Sequence, residues 1–408
     1  MLQFGHSEFK NLPKKVHGEL VTLKGGDFYK IGNFDRIKPF LMSVTSASDH
    51  WMFLSSNGNL TCGRKNAAHA LFPYYSDDKI YDGYTHTGPK TFIKVSLNEQ
   101  RYYWEPFNTA LPSVYQVERN LYKSIAGNKV IFEEVNPDLK LVFRYSWMNS
   151  HRYGFIRETS IESLESKEEI KIEILDGLLN LLPPDVNTPM QANMSTLIDA
   201  YKVNILQEDY RLGLYFLSSA ISDRAEALES LQANMVWTVG LNPTNQLLSG
   251  YQIENFREDA KIETEDNIKG QRGAYFSLAN ISLKPGENKR WLTIADVDQS
   301  HVQIQNLKNR IKNDAGLFEK ILKDIEKGDN QLKSYVAKAD GIQHNADKKG
   351  KMRHFSNVLF NIMRGGFFPE DYTLINKDFA DFLEIRNKKT HQSYQDILKE
   401  LPKKITTT

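Results

Sequence analysis

From about residue 17 to residue 300, short runs rich in β-branched and aromatic residues alternate with Gly, Asn, Asp and Pro, the pattern of strands joined by turns. The clearest runs are His50 to Leu54, Thr91 to Val95, Lys129 to Glu134, Leu139 to Trp147, Gly154 to Ile161, Ile170 to Leu175, Leu212 to Ser218, Met235 to Gly240, Gly273 to Leu283 and Arg290 to Val297. Between apolar runs, Ser56-Asn57-Gly58-Asn59, Ala126-Gly127-Asn128, Asn136-Pro137-Asp138 and Lys284-Pro285-Gly286-Glu287 supply the positive-φ or fixed-φ residues that hairpin corners need. The spacing holds no regular repeat of about 20 to 50 residues, which favours a large sandwich over a propeller or solenoid. One helical insertion is predicted at Gln191 to Leu206, where Leu197, Ile198, Tyr201 and Ile205 share a face.

After Asp298 the period changes. Val302, Ile304, Leu307, Ile311, Leu317, Ile321, Leu322 and Ile325 follow helical spacing among charged residues, and Gly328-Asp329-Asn330 supplies a stop. A second helix is predicted from Gln331 to about Ala339, then a polar linker, Asp347-Lys348-Lys349-Gly350-Lys351. Phe355, Val358, Leu359, Ile362 and Met363 mark a further helix ending at Gly365-Gly366, and others are expected at Asp378 to Arg386 and from Ser393 to Leu401. These last pieces carry more apolar face than three short helices can hide from one another.

Composition narrows the class. The chain has 408 residues, 40% hydrophobic and 25% charged, which is globular and large enough for at least two packed units. Lys and Arg number 52 against 51 Asp and Glu, so no net field would gather nucleic acid or anionic lipid. The balance is uneven: residues 301 to 408 carry 20 basic against 14 acidic residues, and the first 300 carry 32 against 37. Cys62 is the single cysteine, so no intrachain disulfide or paired-cysteine zinc site is expected and a reducing compartment is implied. The first thirty residues hold Lys14, Lys15 and Lys24 without an apolar stretch of signal-peptide length, and no apolar run is long enough to span a membrane; the expected location is the cytoplasm.

Candidate chemistry concentrates in Ser55 to Asn66 and Phe72 to Asp82, where amides, charges and rings mix. Sugars are bound by such mixtures, because rings stack on pyranose faces while Asp, Asn, Arg and Lys exchange hydrogen bonds with vicinal hydroxyls. A structured loop with packed rings and paired charges is the competing reading. Arg64, Lys65, Tyr74, Tyr75, Asp77 and Asp78 are the candidate sugar contacts here. Trp104 and Glu105 join them, the carboxylate standing between a ring and Pro106 where desolvation would raise its pKa, against the ordinary reading of a strand-end glutamate as solvated or salt-bridged. His69, His86, His301, His344 and His354 show no ligand spacing, so no metal is expected. Gly25-Gly26 and Gly365-Gly366 fit neither phosphate-loop nor dinucleotide spacing, so no cofactor is expected. Cys62, near Arg64 and Lys65, reads as a packed side chain, and Lys348 to Arg353 as a solvated linker.

Ser46-Ala47-Ser48-Asp49-His50-Trp51-Met52-Phe53, Asn57-Gly58, Gly63-Arg64-Lys65-Asn66-Ala67, Leu71-Phe72-Pro73-Tyr74-Tyr75 and Asp77-Asp78-Lys79-Ile80 carry a family likeness, with Trp104-Glu105-Pro106, Glu118-Arg119-Asn120-Leu121-Tyr122 and Arg272-Gly273-Ala274-Tyr275-Phe276. Together they resemble the front end of large proteins related to cellobiose phosphorylase, over nearly the whole chain. The resemblance implies a mainly β fold: a galactose mutarotase-like β-supersandwich at residues 1–300, a helical linker at 301–347, and the first helices of an incomplete (α/α)6 barrel at 348–408. It also implies inverting glycosidic cleavage, with phosphate or water attacking opposite a protonated leaving oxygen. The expected chain is then the carbohydrate-binding and scaffolding portion of a glycoside phosphorylase-like glycosyltransferase or a glycoside hydrolase acting on β-glucosides or oligosaccharides, inactive alone. Its expected partners are a sugar or oligosaccharide, inorganic phosphate and a second copy of itself. No catalytic residue is carried over. Two alternatives stay open: a stand-alone carbohydrate-binding module stacking sugars on Trp51, Tyr74, Tyr75 and Trp104, and a mutarotase-like sugar epimerase using His86 and Glu105.

Overall fold

The computed structural model describes residues 3–4, 7–8, 15–23, 26–75, 77–97, 99–109, 114–165, 167–219, 232–343, 346–363 and 373–406, leaving out the side chains of residues 3, 4, 7, 8, 77, 78 and 406. In chain order the strands up to the middle of the chain are β1 (Gln3–Phe4), β2 (Ser7–Glu8), β3 (His17–Leu23), β4 (Gly26–Gly32), β5 (Leu41–Ser43), β6 (His50–Ser55), β7 (Leu60–Arg64), β8 (Gly88–Leu97), β9 (Gln100–Trp104), β10 (Glu118–Ser124), β11 (Val130–Asn136), β12 (Leu141–Ser150), β13 (Gly154–Ser163) and β14 (Ile170–Leu181). Then come β15 (Lys202–Gln207), β16 (Leu212–Leu217), β17 (Gln232–Val239), β18 (Asn245–Leu247), β19 (Asn267–Lys269), β20 (Gly273–Leu283), β21 (Asn288–Ser300), β22 (Thr373–Ile375) and β23 (Lys404–Thr406). The helices are α1 (Asp77–Asp82), α2 (Thr188–Asn193), α3 (Ser195–Tyr201), α4 (Ile253–Arg257), α5 (His301–Asn313), α6 (Leu317–Asp340), α7 (Lys348–Met363), α8 (Asn376–Arg386), α9 (Lys388–Ser393) and α10 (Gln395–Glu400).

The fold is mainly β, with large antiparallel sheets and ten α-helices among the described residues. An eleven-stranded sheet runs β19-β15-β16-β17-β21-β13-β12-β11-β10-β4-β3, and a five-stranded sheet runs β18-β20-β14-β8-β9. A three-stranded sheet, β5-β6-β7, contributes Met52, Leu54, Leu60 and Cys62 to the same core. All ten apolar runs named above overlap strands of these sheets.

The chain divides into two compact units, Met1–Glu326 and Lys327–Thr408. In the first, alternation along the central strands sends side chains to two different cores. Trp291 and Ala295 of β21 face the five-stranded sheet, joining Ile172, Ile174 and Leu178 of β14. Leu292 and Ile294 face the other way and meet Leu307 of α5 with Leu317, Ile321 and Ile325 of α6. A strand covered on both sides carries apolar residues on both, as Trp291, Leu292, Ile294 and Ala295 of β21 do. The switch from strand to helix falls between Ser300 and His301, where the Ser300 hydroxyl and the Gln303 side chain form a reciprocal capping box.

Three local readings give way to the structure. The predicted helix Gln191 to Leu206 is α2 and α3, after which Lys202 enters β15, because its backbone pairs with β16 and β19 while Val203 and Leu206 are buried. Gly328 does not stop α6, which continues to Asp340. A glycine inside a helix costs about 1 kcal/mol against alanine, less than burial of the stripe Leu317, Ile321, Ile325, Leu332 and Val336 contributes. The second unit, read as helical throughout, also holds the β22–β23 ribbon, in which Leu374 faces Ile405 and the Asn376 amide donates to the carbonyls of Leu398 and Leu401. In that unit Phe355, Val358, Leu359 and Leu398 are buried, while Phe382 and Ile385 are 58% and 77% exposed.

A charge pair joins the two large sheets of the first unit. Arg157 of β13 donates to Asp176 of β14 at 2.7 Å, with both side chains 1% exposed. Asp176 also accepts from Thr91 of β8 at 2.6 Å and from the Trp291 indole of β21 at 2.8 Å. Removing one partner of such a pair leaves a buried charge alone. Arg157→Leu is expected to lower unfolding free energy in urea by about 3–5 kcal/mol at unchanged m-value, and Arg157→Leu with Asp176→Leu to recover much of it. A single-variant loss under about 1 kcal/mol would mean that the pair does not hold the sheets together.

Candidate functional site

Beside this pair a cavity of about 320 Å³ opens between β8 and β12–β13, closed by loops. Its first loop is the Trp104-Glu105-Pro106-Phe107 segment. Glu134 of β11, 1% exposed, accepts from the Trp104 indole at 2.8 Å, the Phe107 amide at 2.7 Å and the Arg119 guanidinium at 2.7 Å. Arg119 in turn donates to the Asn108 carbonyl at 3.0 Å. This clasp holds Phe107 at φ 61°, a left-handed conformation that costs an ordinary residue free energy. Trp104 and Phe107 are thereby pinned inward, and Glu105 is left facing the cavity.

Glu105 accepts from Arg257 of α4 at 2.9 Å and from the Asn108 amide at 2.9 Å. Because α4 has only five residues, it depends on outside contacts for its position. Glu265 supplies them, accepting from the Leu248 and Ser249 amides at 2.7 Å and from the Gln252 side chain at 2.9 Å. The Glu105 carboxylate and the Tyr103 hydroxyl hold the Arg257 pKa above its ordinary value against desolvation, and the guanidinium lies 5.0 Å over the Phe92 ring.

Opposite stand Lys90, Tyr145 and the Asn57-Gly58 turn. The part-buried Lys90 ammonium donates to the carbonyls of Tyr84, Thr87 and Pro89, tying the segment before β8 to the strand. Desolvation lowers its pKa from 10.5 to about 8, with Glu105 opposing and Arg157 assisting the fall. Tyr145 lies under the Arg157 guanidinium at 5.0 Å and within 5.3 Å of the Phe107 ring, and burial raises its pKa. Its hydroxyl has no hydrogen-bond partner among the described residues. Gly58 stands at φ 93°, and a Cβ there would meet that hydroxyl at 2.9 Å, so both backbone and space require glycine.

A second cavity of about 350 Å³ shares Asn57, Tyr84, Phe107 and Tyr145 with the first. The two are neighbours, with Tyr145 between.

Of the candidates named from sequence, Glu105 lines the first cavity. Trp104 is 2% exposed and packs edge-on to Phe143, behind the cavity. Arg64 lies in a different cluster, donating to Asp296 and Asp49 at 2.7 Å and to the His151 carbonyl at 3.3 Å. Burial raises the Asp296 pKa despite Arg64, and burial with Arg64 lowers that of His50 to about 3. Nearby His69 Nδ1 donates to the Asp298 carboxylate at 2.5 Å. Lys65 is exposed at φ 58°, and Tyr74 is 40% exposed and edge-on to Trp51 at 5.6 Å. Tyr75 is half-buried, and the side chains of Asp77 and Asp78 lie outside the described residues.

Among the described residues no histidine lines either cavity, and no group of three His, Cys, Asp or Glu side chains is placed to hold a metal ion. No described helix is long and apolar enough to cross a membrane. Lys90, Tyr145, Arg157 and Arg257 escaped the sequence analysis. The one available signal was a basic residue directly after the apolar pair Phe155-Ile156 in a predicted strand, as at Arg157.

Lys90 carries a pH dependence. Between pH 8 and 10.5 the unfolded chain binds its proton and the folded chain has released it, so stability is expected to rise with pH across that window. Urea unfolding at stepped pH, comparing wild type with Lys90→Met, checks this: the variant should lose part of the rise, and identical slopes would refute it.

No family model matches the chain, and no curated protein matches it in sequence. Similar solved structures include a bacterial glucoamylase complexed with acarbose, 8% identical over 83% of this chain and 42% of that one, with a TM-score of 0.41. A candidate kojibiose phosphorylase from the human microbiome is 12% identical over 65% of this chain and 31% of that one, with a TM-score of 0.37. An aldose epimerase homologue from C. elegans is 11% identical over 65% of this chain and all of that one, with a TM-score of 0.36. The chain thus spans less than half of the first two.

Proposed function

We propose that this protein binds carbohydrate in the cavity beside Glu105, as the sugar-binding and scaffolding part of a glycoside phosphorylase-like enzyme acting on β-glucosides or oligosaccharides. The observation that carries the sugar reading is the cavity lining. Glu105 and Arg257 present a fixed carboxylate and guanidinium, Asn57 and Lys90 add polar groups, and Phe107 and Tyr145 supply rings. Vicinal hydroxyls need donors and acceptors at fixed spacing, and pyranose C–H faces need apolar rings. The loops are held by buried carboxylates, so little ordering entropy would be lost on binding.

The enzyme-part reading rests on chain order. A β-rich unit precedes helices, consistent with a supersandwich, a linker and the opening helices of an (α/α)6 barrel, and exposed Phe382 and Ile385 would suit helices that pack further. A cytoplasmic location, inorganic phosphate as co-substrate and a homodimer belong to the same proposal. The binding reading is preferred to the epimerase because Glu105 has Arg257, not a histidine, as its partner.

Calorimetric titration with gluco-oligosaccharides tests it. Saturable binding is expected, weakened about tenfold in Glu105→Gln as a charged hydrogen-bonding group is lost. Incubation with β-glucosides and phosphate should release no sugar phosphate. An absence of binding by all oligosaccharides would defeat the sugar reading, and sugar phosphate release would defeat the non-catalytic one.

A further inference from the structure

The two neighbouring cavities differ in chemistry. The first presents Lys90, Glu105, Arg157, Glu254 and Arg257, whereas the second is walled by Phe34, Ile37, Pro39, Phe107 and Phe132. The second also has polar side chains, but several are engaged within the protein. Arg119 is bound to Glu134, the Ser56 hydroxyl accepts from the Phe40 amide, and the Asn57 amide donates to the Tyr81 carbonyl. Asp35 Oδ2 pairs with Arg36 at 3.4 Å while its Oδ1 is buried without a hydrogen-bond partner among the described residues, and Asp82 is exposed. What the second cavity chiefly offers a ligand is apolar surface. Its volume of about 350 Å³ sits at the small end for ligand sites, enough for one ring and its substituents.

The junction is polar. Tyr84 and Tyr145 line both cavities, and neither hydroxyl has a protein partner among the described residues. A phenol held between a charged and an apolar chamber suits a ligand that changes character at that point and carries an oxygen there.

We infer that the two cavities together take a glycoside with an apolar aglycone, aryl or alkyl. The sugar lies beside Glu105, the glycosidic oxygen near Tyr145, and the aglycone lies against Phe34, Ile37 and Phe132. This rests on the sugar reading above and names the class of glycoside.

Ligand-observed NMR and calorimetry with methyl and phenyl glucosides, in both anomeric forms, test the inference. Phenyl glucoside is expected to bind about tenfold more tightly than methyl glucoside, from burial of the ring. Ile37, 39% exposed, can be changed without opening the core. Ile37→Asp should erase that margin while leaving methyl glucoside affinity unchanged. Tyr145→Phe, which removes a hydroxyl without a protein partner, should weaken both glucosides and leave Tm unchanged. Equal affinity for the two glucosides, or a margin that survives Ile37→Asp, would overturn the inference while the sugar reading stands. Failure of every glucoside and oligosaccharide to bind would overturn both.

Discussion

The Arg157–Asp176 pair is the constraint around which the first unit is arranged. A carboxylate at the centre of a sandwich is tolerated only if positive charge and hydrogen-bond donors converge on it. Asp176 gathers Arg157 and Trp291 from the eleven-stranded sheet and Thr91 from its own. The two sheets can therefore meet in few relative positions, since a slip of one residue on β13 or β14 would turn Arg157 or Asp176 to the wrong face. The same guanidinium lies over Tyr145 and helps line the first cavity, so the interaction that registers the sheets also shapes the candidate site.

Carboxylates act similarly in the loops. Glu134 collects Trp104, Phe107 and Arg119, and Glu265 collects the amides of Leu248 and Ser249. Each replaces regular backbone pairing where the chain leaves a strand, and each accepts several donors at once, as a buried charge must. The result is that Glu105 and Arg257, from segments some 150 positions apart in sequence, face each other across the cavity mouth at 2.9 Å. An ion pair this exposed adds little stability, but it fixes two side chains in one geometry.

The Arg64 cluster has a different character. Its charges come from β7, the loop before β6 and the end of β21, and they are largely matched against one another. Mixed charge and aromatic content in Ser55 to Asp82 is therefore shared between two places. Asn57 and Gly58 turn toward the cavities, while Arg64 reaches Asp49 and Asp296.

Local sequence determined the strands and the change to helices after residue 298, because burial on one or two faces imposes period two or continuous apolarity, and helices impose period 3.6. It also exposed Asn57-Gly58 and Glu105 as unusual residues. Where backbone pairing or distant burial decided, it could not reach: Lys202 joins β15 because Leu217 of β16 is there to pair with it and the Gly270 amide to donate to its carbonyl, and Gly328 stays helical because the apolar stripe on either side of it is buried. The partnership of Glu105 with Arg257, the place of Lys90 and Arg157 at the cavity, and the burial of Trp104 were decided by tertiary structure alone. A side chain's charge and polarity are written in its own residue, but the field, solvent and partners that give it a role are supplied by residues far along the chain.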